Sequence, residues 1–96
     1  MLLKIDKNQP VFTIPDWHLL EMVMKEQAPD FMFMCAYHTS ENTTLNLFKH
    51  RDTRRYINIT RANRYEYIPE SFCFWEFSTG GYAQISKEDA IHHVLS

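Results

Sequence analysis

Six of the ten Lys and Arg residues fall between Lys49 and Arg64, and tyrosines punctuate and follow the same stretch. The cations are Lys49, Arg51, Arg54, Arg55, Arg61 and Arg64, with Asp52 as the only acid among them. The window carries a net +5 and leaves −7 for the rest of a chain whose overall charge is −2. Such two-sided charge steers a protein toward anions or an acidic partner without setting its fold. Arginine beside exposed tyrosine is also the composition of interface hot spots. The candidate partner-binding residues are therefore Lys49, Arg51, Arg54, Tyr56, Arg64, Tyr65 and Tyr67.

A single-stranded nucleic acid would use the same residues, with arginines on phosphates and tyrosine faces stacked on bases. Strand geometry weakens that reading. At ~3.3 Å per residue, an unbroken strand sets Arg54 and Arg61 ~23 Å apart. The charge then splits into a group near Lys49–Arg55 and a second group at Arg61 and Arg64.

The other reactive residue types form no catalytic pattern. His92 and His93 are adjacent, and on a helix their side chains diverge by about 100°. His18, His38 and His50 stand in no HxxxH, HExxH or Cys/His spacing, so no metal site is expected. Nucleophile-elbow and phosphate-loop motifs are absent. Cys35 and Cys73 lie inside apolar runs, where burial disfavours the thiolate; two reduced thiols are expected rather than a disulfide. Glu76, between aromatic residues, would be a general acid if buried, but an exposed position on an edge strand is the simpler reading. No enzyme activity and no cofactor are expected.

The chain has 96 residues, enough for one domain with one core. Hydrophobic residues make up 45% of it, and it contains only two Gly, which argues for a packed fold over disorder. No segment reaches the roughly 18 apolar residues of a membrane span, and residues 1–7 do not resemble a signal peptide. A cytoplasmic protein with no membrane contact is the expectation.

The elements that must position these residues follow from apolar spacing. Leu3 and Ile5 alternate with polar residues in a short first strand. Thr13 offers a helix cap and Pro15 a first turn; Trp17, Leu20, Val23 and Met24 then give a helical stripe to about Gln27. Residues 31–38 are apolar on both parities, as in a central strand covered on both faces. Thr44–His50 and Arg54–Arg61 alternate around a turn near Arg51–Thr53, which predicts a hairpin with Ile57 and Ile59 buried. Strand parity sets Arg55 and Arg61 beside those isoleucines and turns Tyr56 away from them. Tyr65 and Tyr67 fit a further short strand. Phe72–Phe77 and Tyr82–Ile85 flank a Gly80–Gly81 turn. Ser86 caps a final helix whose buried face is Ala90, Ile91, Val94 and Leu95.

Short connections between consecutive strands favour antiparallel pairing. The fold class is α+β: an antiparallel sheet of about five or six strands, an N-terminal helix packed on one face and a short C-terminal helix that closes an edge or meets a partner. The open edges of such a sheet, with a surplus of aromatic residues, favour a homodimer. Size, lack of motifs and the basic window suit a small non-catalytic binding protein. Inhibitors and adaptors encoded by phages and mobile elements have this character. It would act by covering a surface of a protein partner. The alternative is a small RNA- or single-strand-binding domain using residues 49–67.

Overall fold

The computed structural model describes residues 2–6, 8–39, 43–62 and 72–96. The elements are β1 (Leu2–Leu3), α1 (Trp17–Met24), a 3-10 segment (Lys25–Asp30), β2 (Phe31–His38), β3 (Thr43–His50), β4 (Tyr56–Ala62), β5 (Cys73–Ser78), β6 (Gly81–Ile85) and α2 (Lys87–Leu95). The fold is α+β, with an antiparallel sheet in the order β1-β6-β5-β4-β3-β2. An isolated antiparallel bridge between Ile5 and Thr39 joins the chain beyond β1 to the chain beyond β2. The two ends of the strand order therefore meet, and the sheet curls around one of its faces.

The hairpin forms as its alternation requires. Thr43 pairs with Ala62 and Lys49 with Tyr56, and Ile57 and Ile59 are buried. The outer face carries Phe31, Phe48, Ile57, Ile59 and Phe74 against Leu19, Leu20, Val23 and Met24 of the α1 side and Ala90 and Val94 of α2. The inner face of the curl gathers Leu3, Leu45, Leu47, Trp75 and Tyr82, with Ile5, Cys35, Tyr37, Tyr56 and Cys73 packed against them.

Four details depart from the sequence reading. The cap of α1 is Asp16, whose Oδ1 accepts from the Leu19 N–H at 3.2 Å, and Thr13 lies outside the helix. Asp16 also takes the Arg61 guanidinium, which gives it two reasons to hold this position. The helix ends at Met24, and a 3-10 segment containing Pro29 continues to Asp30. Strand β2 ends the strand order rather than occupying its centre, with Met32 and Met34 exposed; a register shift between Phe33 and Cys35 lets apolar residues of both parities find cover. Helix α2 lies across β3, β4 and β5 instead of closing an edge. It is pinned there by Thr53, whose hydroxyl donates to the Val94 carbonyl at 2.6 Å.

Two turns behave as their residues dictate. Gly80 and Gly81 have φ of 90° and 153° in the β5–β6 hairpin. A Cβ on Gly81 would stand 2.8 Å from the Leu3 carbonyl oxygen, so close pairing of β1 depends on that glycine. Ser86 Oγ accepts from the Asp89 N–H at 3.1 Å and starts α2.

Candidate binding surfaces

The described cations of the basic window fold into five different environments. Lys49 is half-buried, with its ammonium 5.7 Å from the centre of the Tyr56 ring. Arg51 is at the β3–β4 turn, 3.2 Å from Asp30 and 3.7 Å from Asp52. Arg54 is exposed at φ 61°, a left-handed conformation uncommon outside glycine. Arg55 reaches His93 of α2 at 3.5 Å. Arg61 lies at the far end of β4 with its Nη1 2.6 Å from Asp16. Arg64, Tyr65 and Tyr67 lie outside the described residues.

His50 sets the shape of this turn. It is buried, its ring edge-on to Phe31 at 5.0 Å. Its Nδ1 accepts from the N–H groups of Asp52 and Thr53, both at 3.2 Å. The imidazole thus supplies an acceptor where the turn leaves two backbone donors pointing inward.

Tyr56 faces the inner side of the curl. Parity assigned it correctly to the face opposite Ile57, but that face is a second interior. The same holds for Asn58 and Thr60, both buried. Thr60 Oγ1 accepts from Trp75 Nε1 at 2.9 Å and donates to the Cys73 carbonyl at 3.3 Å. Asn58 Nδ2 donates to the Trp75 carbonyl at 3.1 Å. Tyr37 and Tyr82 belong to this inner side too. Hydrogen bonding with Cys35, and then burial, push the Tyr37 hydroxyl up to about 12. Burial raises that of Tyr82, helped by the charges of Cys35 and Tyr56. Cys35 and Cys73 are both free and half-buried. Glu76 is exposed, although β5 is an internal strand.

A second surface has no counterpart in the basic window. Phe12 is 98% and Ile14 86% exposed, in the irregular segment before α1. Trp17, at the start of α1, is partly exposed while its ring packs 5.7 Å from Phe48. The Val11 N–H donates to the Ala36 carbonyl at 2.8 Å, so this segment runs beside β2, which carries the exposed Met32 and Met34. The sequence held a signal for this. Val11, Phe12 and Ile14 crowd three large apolar residues into a stretch that fits neither the α1 stripe nor a strand.

A third feature is a cleft of about 360 Å³ between β4, β5 and α2. The β4–β5 ladder runs only from Asn58–Trp75 to Thr60–Cys73. Beyond Asn58 the two strands part, while β4 stays paired to β3 through Tyr56 and β5 to β6 through Ser78. No group of His, Cys, Asp and Glu among the described residues could hold a metal ion. No helix among them is long and apolar enough to cross a membrane.

Comparison with protein-family models, curated proteins and solved structures finds no match.

Proposed function

We propose that this chain is a non-catalytic binding protein that acts by covering a surface of a protein partner, as an inhibitor or adaptor does. The observation that carries this reading is the near-complete exposure of Phe12 and Ile14 beside the partly exposed Trp17. Isolated exposed apolar residues are ordinary, but three large ones within six positions form an anchor-like cluster. Met32 and Met34 extend the apolar surface along β2 and supply adaptable contacts. The Arg51–Arg55 turn adds positive charge at the other end of that strand, which suits a partner with an apolar centre and an acidic rim.

The pairing of Arg61 with Asp16, and of Arg51 with Asp30 and Asp52, weighs against the nucleic-acid alternative. Part of the window's charge is already matched within the chain. Tyr56 is also half-buried against the inner core, which leaves less of its ring free to stack on a base.

The test replaces Phe12 and Ile14 together with serine and compares capture of a partner from native lysate, with and without nuclease. Both side chains are exposed, so the melting temperature should stay within a few degrees of wild type. Capture should fall at least tenfold and should be indifferent to nuclease. Undiminished capture would remove the apolar cluster from the interface, and loss of capture on nuclease treatment would favour the nucleic-acid reading. Sedimentation of the same variant examines the homodimer: a dimer held by this surface dissociates in the double variant.

A further inference from the structure

The cleft between β4, β5 and α2 shares no residue with the Phe12–Trp17 surface. Its walls are Leu47, Ile57, Trp75, Phe77, Tyr82 and Ala90, an apolar and largely aromatic lining. Its volume of about 360 Å³ falls at the small end of the range for small-molecule sites. Three polar groups, Asn58, Arg55 and Glu76, stand on or at these walls.

The first is Asn58, which is 95% removed from solvent and stands where the β4–β5 ladder ends. Its Nδ2 is held by the Trp75 carbonyl, which fixes which amide atom is the nitrogen. Oδ1 is therefore an acceptor, and it has no partner. An orphaned buried acceptor is costly to the folded chain. Solvent does not reach it in this structure, so a ligand donor meets it only after a local shift of the cleft wall.

The other two are opposite charges at the rim. Continuing the register beyond Asn58–Trp75 sets Ile57 across from Glu76. Arg55 lies two residues along from Ile57, about 7 Å by strand rise. Arg55 and Glu76 are both exposed, and both line the cleft. An aromatic cavity with one cation and one anion at its mouth complements a zwitterion with an aromatic body.

We infer that this cleft binds a free aromatic α-amino acid with a ring N–H or O–H donor. The ring lies among Trp75, Phe77 and Tyr82. The carboxylate meets Arg55, the ammonium meets Glu76, and the ring donor meets the Asn58 carboxamide. His93, 3.5 Å from Arg55, holds the guanidinium at the rim.

Calorimetric titration of the wild-type chain with L-tryptophan, L-tyrosine, L-phenylalanine, tryptamine and indole-3-acetate tests each contact without a variant. Tryptophan or tyrosine should bind at least tenfold more tightly than phenylalanine, which lacks the donor. Tryptamine, lacking the carboxylate, and indole-3-acetate, lacking the ammonium, should each bind about tenfold more weakly than tryptophan. Arg55→Ala should abolish the preference for tryptophan over tryptamine, and Glu76→Gln the preference over indole-3-acetate. Both positions are exposed, so these variants should fold. No binding of tryptophan or tyrosine at millimolar concentration overturns the inference. Equal binding of all five compounds does so as well, because it reduces the cleft to a nonspecific apolar hollow.

Discussion

The two faces of the sheet solve the same burial problem with different chemistry. The outer face is covered by two helices and filled with Leu, Ile, Phe and Val. The inner face is covered by the sheet's own curl, and it encloses Asn58 and Thr60 beside Trp75, Tyr82 and Leu45. Helices can be moved until apolar shapes fit, and the two polar side chains buried on the outer side bond to backbone: Asn46 to the Thr44 and Ile59 carbonyls, His50 to the N–H groups of the β3–β4 turn. A curled sheet brings its inner side chains together at spacings set by strand pairing. Side-chain hydrogen bonds fill part of that interior: indole to Thr60, Thr60 to the Cys73 carbonyl, Asn58 to the Trp75 carbonyl. Directional bonds specify one arrangement, and one of them leaves an acceptor unused.

Truncation should expose the contrast most strongly. Phe48 is fully buried on the outer face, with Trp17 and Phe33 rings both 5.7 Å away. Phe48→Ala should cost about 3–5 kcal/mol, because helices and sheet hold the hole open. Leu47, next along the same strand, points inward and lines the cleft. Its neighbours already border empty space, so Leu47→Ala should cost about 2 kcal/mol, near the low end for such a change. Urea denaturation of both variants measures the difference. A larger loss for Leu47 would mean that the curled interior, not the helix-covered layer, carries the fold.

Thr60→Val probes the inner hydrogen bonds with little change of shape. It strands a buried indole N–H and should cost about 1–3 kcal/mol. Were the variant as stable as wild type, the polar interior would be incidental to stability. On the outer side the comparable device is Asp16, joining helix cap to ion pair. Asp16→Ala should cost about 1 kcal/mol. Asp16→Asn keeps a capping oxygen and should lose less, since partly exposed ion pairs contribute under about 1 kcal/mol. Equal losses in the two variants would assign the stabilisation to the Arg61 pair rather than the cap.

The outer layer was legible in the sequence because alternation and helical spacing report burial against an apolar partner. Ile57, Ile59 and the α1 stripe follow from that rule, and the glycine hairpin and the Ser86 cap from local turn and capping chemistry. The inner layer was not legible for the same reason. Tyr56, Asn58 and Thr60 alternate with isoleucine as solvent-facing residues do, and only closure through Ile5 and Thr39 turns their side inward. That closure is long-range and leaves no local periodicity. The basic window was legible as a cluster in sequence, but its division among Asp16, Asp30 and His93 depends on tertiary contacts. Nor did the cleft have a local signal, since it arises where two strands stop pairing.

Titration separates the faces at the smallest amplitude, and only in alkali. The inner face holds two tyrosines with raised pKa values, Tyr37 at about 12 and Tyr82 above its ordinary 10.0. Deprotonation is easier in the unfolded chain, so between these values the unfolded state has bound fewer protons than the native state. Stability from the neutral tyrosines is therefore complete below pH 10 and is lost as pH rises toward 12. Lysines titrate in the same range, so the informative quantity is the difference between wild type and a phenylalanine variant. Tyr37→Phe should flatten the decline in melting temperature between pH 9.5 and 11.5, and Tyr82→Phe should flatten it less. Phe33→Leu on the outer side should leave the slope unchanged, because no ionisable group is removed. Parallel curves for wild type and Tyr37→Phe would show that the Tyr37 hydroxyl titrates alike in the folded and unfolded chain. The hydrogen bond with Cys35 and the burial that raise it would then be absent in solution, and the contrast between the two interiors would contract to Thr60, Asn58 and Trp75.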